Sequence, residues 1–219
     1  MSGTLYIVAT PIGNLEDITL RALAVLKRVD LIACEDTRRT KILLNHYQIK
    51  NSLVSFHQHS KIQKIDRIIA ELRSGADVAL VTDAGTPGIS DPGGVLVARC
   101  VSEQVMVRPI PGPSALTALV SVAGIPMDQF LFLGFLPHKK GRRKVIDQIV
   151  RSEVPVVFYE SPYRILKTLA ALSEYEGRLI IGRELTKQFE EVVRGTAKEV
   201  YQEFESRKIQ GEFTVIYYK

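Results

Sequence analysis

The sequence predicts two successive α/β domains, the first on a mostly parallel sheet and the second on a mixed one. Three observations predict it. Short apolar runs alternate with segments of helical period through the first half. The stretch Pro111-Gly112-Pro113-Ser114 breaks that alternation, and after Gly124-Ile125-Pro126 a second series of strands and helices begins. The boundary falls within 112–126, dividing the chain into 1–115 and 116–219.

In the first series, strands are expected at Leu5 to Ala9, Leu31 to Cys34, Leu53 to Phe56, Val78 to Thr82 and Val105 to Ile110. Each is a short apolar run bounded by polar or turn residues. Ile18, Ala22, Val25, Leu26 and Val29 recur at helical spacing, with Asp17 or Thr19 placed to cap the start. Ile62, Ile65, Ile68, Ile69 and Leu72 form one side of a second helix ending near Gly75. A third helix should begin at Asp91-Pro92, since proline is well placed at a first helical position. Ser114 can cap a helix running to about Val122.

The second series has expected strands at Phe130 to Gly134, Val156 to Tyr159, Leu179 to Gly182, around Val192, and Phe213 to Tyr218. Helices fit Arg142 to Ser152, Pro162 to Tyr175 with Ser161 as cap, and Ala197 to Lys208.

Composition narrows the function classes. The 219 residues are 46% hydrophobic and 24% charged, the balance of a folded domain and not of a disordered or fibrous chain. No apolar run approaches a bilayer span, and Met1-Ser2-Gly3-Thr4-Leu5 lacks a basic region followed by an apolar one. A cytoplasmic location without membrane association is expected. Cys34 and Cys100 show no metal-ligand spacing, which suits two buried thiols in a reducing compartment. The formal net charge of +5 favours an anionic partner.

Ligands of open α/β sheets bind beyond the carboxyl ends of the strands. The first strand leads into Thr10-Pro11-Ile12-Gly13-Asn14, the second into Glu35-Asp36-Thr37-Arg38-Arg39, and the fifth into Pro111-Gly112-Pro113-Ser114-Ala115. The fourth leads into a loop from Asp83 to Gly94 that holds Gly85, Gly88, Gly93, Pro87 and Pro92, residues that stiffen a backbone while allowing close approach. Neither a G-x-G-x-x-G fingerprint nor a G-x-x-x-x-G-K-[ST] loop is present, so a pyrophosphate-gripping site is disfavoured.

These strings carry a resemblance. Val8-Ala9-Thr10-Pro11-Ile12-Gly13-Asn14, Glu35-Asp36-Thr37-Arg38, Asp83-Ala84-Gly85-Thr86-Pro87-Gly88-Ile89-Ser90-Asp91 and Pro111-Gly112-Pro113-Ser114-Ala115 resemble, in order, motifs of the tetrapyrrole-methylase family, specifically its small-subunit ribosomal RNA cytidine 2′-O-methyltransferase branch. Gly134-Phe135-Leu136-Pro137, Phe158-Tyr159-Glu160-Ser161-Pro162-Tyr163-Arg164 and Gly182-Arg183-Glu184-Leu185-Thr186-Lys187 continue the series.

The resemblance implies an S-adenosylmethionine-dependent methyltransferase with its cofactor cleft between two α/β domains, a homodimeric assembly, and 16S rRNA or the 30S subunit as partner. Carried over by position, Pro11, Ile12, Thr86, Pro87, Ile89, Ser114, Ala115 and Tyr159 would contact the cofactor. Members of this branch commonly continue past the last strand, whereas this chain ends at Lys219, so RNA contacts from such a segment are not expected here. A tetrapyrrole methyltransferase and a catalytically silent RNA-binding module with the same fold are the alternatives.

A ribose hydroxyl needs its proton accepted during attack. Asp83, Glu160, Asp36 and Glu35 are the rim carboxylates that qualify, with Asp83 and Glu160 the leading candidates; Lys187 or Arg183 could hold a neighbouring phosphate. Lys139, Lys140, Arg142, Arg143 and Lys144 crowd a helix start, where the dipole disfavours positive charge. With Arg38, Arg39 and Arg164 they form an expected RNA-phosphate rim. Asp17 and Asp91 read first as helix caps, Glu35-Asp36 with Arg38-Arg39 as a loop ion-pair cluster, and His57 and His59 as solvated residues with no metal expected.

Overall fold

A computed structural model of the chain describes residues 2–56, 62–91 and 93–219. Backbone contacts divide it into two compact units, Met1–Ser114 and Ala115–Lys219.

Among its described residues the first unit has five strands, β1 (Thr4–Val8), β2 (Leu31–Cys34), β3 (Leu53–Ser55), β4 (Val78–Val81) and β5 (Met106–Ile110), and four α-helices, α1 (Leu20–Arg28), α2 (Thr37–His46), α3 (Ile62–Arg73) and α4 (Gly93–Ser102). The strands form one sheet in the order β3-β2-β4-β1-β5, and every pairing is parallel. Strand residues alternate between two cores, as a period of two requires. Tyr6, Val8, Ile32, Cys34, Ala79 and Val81 pack under Ala22, Val25 and Leu26 of α1 and Leu43 and Leu44 of α2. Leu5, Ala33, Val78 and Leu80 pack under Ile68, Ile69 and Leu72 of α3 and Leu96 and Cys100 of α4. Both cysteines are buried free thiols; burial raises both, Cys100 to about 11, which leaves them unreactive.

One local reading is corrected and another is decided between its two candidates. The segment after β2 is not only a loop ion-pair cluster: α2 starts there, with Asp36 accepting a hydrogen bond from the Arg38 backbone at 2.8 Å. Only Thr40, Leu43 and Leu44 of this helix are buried, too thin an apolar stripe for the periodicity to reveal. At α1 the cap is Thr19, whose hydroxyl accepts from the Ala22 N–H at 3.0 Å, while Asp17 closes a preceding 3-10 turn, Leu15–Asp17. Pro92, His57 and His59 lie outside the described residues. Asp91 accepts from the Gly88 and Gly93 N–H groups, each at 2.7 Å, tying the strand-four loop to the start of α4.

The second unit starts with α5 (Ala115–Ser121) and continues through β6 (Leu131–Phe135), α6 (Arg142–Arg151), β7 (Val156–Glu160), α7 (Ile165–Leu172), β8 (Arg178–Arg183), β9 (Glu191–Thr196), α8 (Ala197–Glu205) and β10 (Phe213–Tyr218). Its sheet, in the order β6-β7-β10-β8-β9, is mixed. β6 and β7 run parallel, and the other pairs are antiparallel. Phe158, Leu169, Ile181, Val200, Phe204 and Val215 centre its core, each stabilising the fold by about 1.5–3 kcal/mol through burial. The chain closes against Gly177, where a Cβ would lie 2.3 Å from the Tyr217 ring.

α7 begins later than expected. Ser161 does not cap it: the Ser161 carbonyl accepts from the Arg164 and Ile165 N–H groups, and its hydroxyl accepts from Arg164 Nε at 3.0 Å. α8, by contrast, opens with a full capping box between Thr196 and Glu199. Among the described residues no helix is long and apolar enough to cross a membrane.

The assignment of the α1 cap is testable by urea unfolding. Thr19→Ala should cost about 1 kcal/mol, whereas Asp17→Ala should cost far less, because Asp17 Oδ2 is buried with no hydrogen-bond partner.

Candidate functional site

In the first unit the candidate site follows from where the helices go. β1 leads into α1 on one face and its neighbour β4 into α4 on the other, so the loops after these two strands diverge at their carboxyl ends. Divergence at such a point opens a crevice. The loops are cross-tied there. Thr10 and Gly85 form an antiparallel bridge, the Thr10 N–H donating to the Gly85 carbonyl at 2.9 Å and the Gly85 N–H returning at 3.0 Å. Gly85 has φ +82° and lies close to Ile12, so a side chain there would be strained. The Thr10 hydroxyl donates to the Thr82 carbonyl at 3.2 Å and the Thr86 hydroxyl to the Pro113 carbonyl at 3.0 Å.

Of the residues expected to line a cofactor, Ile12, Pro87 and Ser114 are buried, and Pro11, Thr86 and Ile89 are half-buried. The structure thus brings these six onto three loops joined by hydrogen bonds. No lysine or arginine occurs at 9–14, 82–91 or 110–115. Sequence reasoning missed the buried hydroxyls of Thr10 and Thr82 that hold the loops; their only signal was two polar residues closing apolar strands.

The charges near this rim are negative. Asp83 Oδ1 accepts from the Asp36 N–H at 3.0 Å, and Oδ2 lies 3.6 Å from Arg39 Nε. Glu35, half-buried beside it, is pushed above the usual carboxylate range by burial first and the Asp83 charge second, against a hydrogen bond from the Asp83 backbone. Asp36 is held down to about 2 by its side-chain hydrogen bonds from Arg38. Arg38 and Arg39 are exposed, but their guanidinium groups pair with Asp36 and Asp83.

The second unit overturns three expectations together. Glu160 is 1% exposed, and both its oxygens are engaged. Oε1 pairs with Arg164 at 2.8 Å and accepts from the Ser161 N–H at 2.9 Å. Oε2 accepts from Arg142 at 2.9 Å and from the Thr168 hydroxyl at 2.7 Å. A carboxylate so filled is not positioned to take a substrate proton. Arg142 and Arg164 are equally committed, donating also to the Pro137 and Leu136 carbonyls. They are buried or half-buried pins, not parts of a surface phosphate rim. The anion that the charge at the α6 start called for is, for Arg142, internal.

Lys139, Lys140, Arg143 and Lys144 remain exposed. Lys187 pairs with Glu184 and Glu212, and Arg183 with Glu191, so neither is left for a phosphate. Tyr159 is half-buried among Phe132 and Phe135, with ring centroids at 5.2 and 5.4 Å. Thr168 was not anticipated; its place four residues after Arg164, on the buried side of α7, is the only sequence signal for it.

Two α/β units, a parallel sheet followed by a mixed one, are the architecture of the two-domain α/β methylases. Residues 4–201 match the tetrapyrrole (corrin/porphyrin) methylases, and the chain belongs to that family. It is 49% identical over 216 residues, covering 98% of this chain and 97% of the relative, to a protein of Thermotoga maritima named ribosomal RNA small subunit methyltransferase I. Its fold is similar to that of cobalt precorrin-4 methyltransferase, with a TM-score of 0.73 and 17% identity, covering 98% of this chain and 94% of the other. It is also similar to that of uroporphyrin-III C-methyltransferase from Thermus thermophilus in complex with S-adenosyl homocysteine, with a TM-score of 0.67, 18% identity and coverage of 98% and 97%.

The Glu160 cluster has a stability consequence. Glu160→Gln leaves two largely buried guanidinium groups without their counter-charge and should cost about 3–5 kcal/mol in denaturant unfolding; a loss within experimental error would show that the cluster does not hold the fold.

Proposed function

We propose that the chain transfers the methyl group of S-adenosylmethionine to the 2′ hydroxyl of a cytidine in 16S ribosomal RNA, acting on the 30S subunit or its RNA as a cytoplasmic homodimer. The observation that carries this reading is the 49% identity, over nearly the whole of both chains, to a protein named ribosomal RNA small subunit methyltransferase I.

The first-unit crevice fits the donor. Ile12, Pro87 and Ile89 offer apolar surface for a nucleoside. The absence of lysine and arginine from its three loops suits a ligand with no phosphate, and Glu35, Asp83 and Asp91 give a field favourable to a sulfonium. When bound, the donor supplies an electrophilic methyl group whose loss leaves a neutral thioether. Pro11, Ile12, Thr86, Pro87, Ile89 and Ser114 are assigned to holding it. Ala115 and Tyr159 are assigned to it by resemblance alone.

The protein's remaining tasks are alignment and proton acceptance. Alignment is served by the bridge of Thr10 to Gly85 and the Thr86 bond, which fix the loops before any ligand arrives. Proton acceptance is assigned to the carboxylate pair of Asp83 and Glu35, with Glu35 as the carrier. Its raised position makes it a better base than an ordinary carboxylate, and Asp83 is one cause of that.

The reaction is tested by incubating the protein with methyl-labelled S-adenosylmethionine and 30S subunits, then digesting the RNA to nucleosides. Labelled 2′-O-methylcytidine is expected; label on a base, or in an added tetrapyrrole alone, would overturn the assignment. For the base, Glu35→Gln should lower kcat about 10²–10⁴-fold, a far larger effect than the loss of one rim charge has on donor affinity. The rate should rise as pH climbs through the elevated Glu35 value, and Asp83→Asn, by removing a charge that raises it, should move that rise to lower pH. An unshifted limb would remove Asp83 from this role.

A further inference from the structure

The second unit carries two aromatic rings whose exposure its own packing does not explain. Tyr163 is 95% exposed and Phe135 56%. Single exposed rings are ordinary, but these two flank the same bond. Arg164 Nη1 donates to the Leu136 carbonyl at 2.7 Å, joining the residue after Tyr163 to the residue after Phe135. Glu160 anchors both sides, taking Arg164 on one oxygen and, through Arg142, the far end of the loop on the other. Ordering a flexible loop costs entropy when a ligand arrives; the backbone beneath these two rings is held by a buried ionic cluster and has largely lost that freedom already.

The surroundings are cationic. Lys139, Lys140, Arg143 and Lys144 occupy the loop and first turn that Arg142 pins, all exposed, and none forms an ion pair among the described residues. The Tyr163 hydroxyl likewise has no partner among them. An exposed Tyr163 ring, and a Phe135 ring that leans on Tyr159 yet stays more than half exposed, beside unpaired cations match the chemistry of a single strand, whose bases offer π faces and whose phosphates follow at short intervals. A duplex fits poorly, since A-form RNA keeps its base faces stacked inward.

We propose that Tyr163 and Phe135 are stacking platforms for unpaired bases of the RNA substrate, with Lys139, Lys140, Arg143 and Lys144 taking the adjoining phosphates and Glu160 acting as the positioning residue beneath them. The inference rests on the RNA reading above and adds the form of RNA engaged: a strand with bases free of pairing.

The test uses the full chain and fluorescence anisotropy, with one short RNA offered as a single strand and as its duplex over a series of salt concentrations. The parent protein should prefer the single strand. Tyr163→Ala and Phe135→Ala should weaken single-strand binding about 5- to 150-fold, with the salt slope unchanged, while Tyr163→Phe should bind as the parent does. A double variant, Lys139→Ala with Lys140→Ala, should instead flatten the slope of log K against log salt, by about 0.7 for each phosphate no longer neutralised. Because Tyr163 is exposed, its variants should keep the parental Tm. If the parent binds RNA and Tyr163→Ala binds it equally well, the platform is wrong and the RNA reading stands; if the parent binds 30S subunits but not the free strand, the platform falls and the RNA reading stands, and if it binds neither, both fall. A changed sedimentation coefficient in Tyr163→Ala with RNA affinity intact would make the ring a protein contact and overturn the proposal.

Discussion

A parallel sheet covered on both faces must send its connections to opposite sides somewhere along its edge, and in the first unit that reversal is made by two neighbouring strands. β1 feeds α1 above one core and β4 feeds α4 above the other. The carboxyl end between them cannot be closed by either connection, so loops alone furnish it. Loops carry unpaired backbone groups, and the bridge of Thr10 to Gly85, with the hydroxyls of Thr10, Thr82 and Thr86, takes up several of them. The rim is preformed as a result, and what it offers a ligand is apolar surface edged by carboxylates.

That edge separates two kinds of chemistry. A nucleotide with phosphates needs cations or a run of convergent N–H groups, and the three loops hold no lysine or arginine. Basic residues on β2's side are consumed locally: Arg38 pairs with Asp36 and Arg39 with Asp83. Glu35 is left without a direct guanidinium partner, and burial first, with the Asp83 charge second, lifts it above the usual carboxylate range. In the proposed reading, the same charge arrangement would serve both a cationic nucleoside and a proton acceptor.

Most of the fold could be read from the sequence because its signals were local. The ten strands among the described residues lie within a few residues of apolar runs, and the sheet type of the first unit followed from their alternation with helices. α2 could not be read, since its buried face is only Thr40, Leu43 and Leu44 amid charged residues and its stability comes from tertiary packing. The candidate rim was legible as loops rich in glycine and proline, but its threonine ties join residues up to 72 positions apart and leave no local pattern. Arg142, Arg164 and Glu160 failed for the same reason. A basic cluster at a helix start looks identical in sequence whether its counter-charge is a bound phosphate or a carboxylate 18 residues on.

The Glu160 cluster also explains why the basic run keeps mixed character. A buried carboxylate with two guanidinium partners contributes little net stability over an apolar core, because desolvation offsets much of the attraction. What such a cluster supplies is definition: Arg142 fixes the Pro137 carbonyl, Arg164 the Leu136 carbonyl, and the Thr168 hydroxyl ties α7 to Glu160 Oε2. With those three points set, the segment carrying Lys139 and Lys140 has little freedom at its ends, and the cations not used inside are displayed on a fixed base. Two of the basic residues were therefore spent on position, and it is their removal from the surface that gives the others a defined place on it.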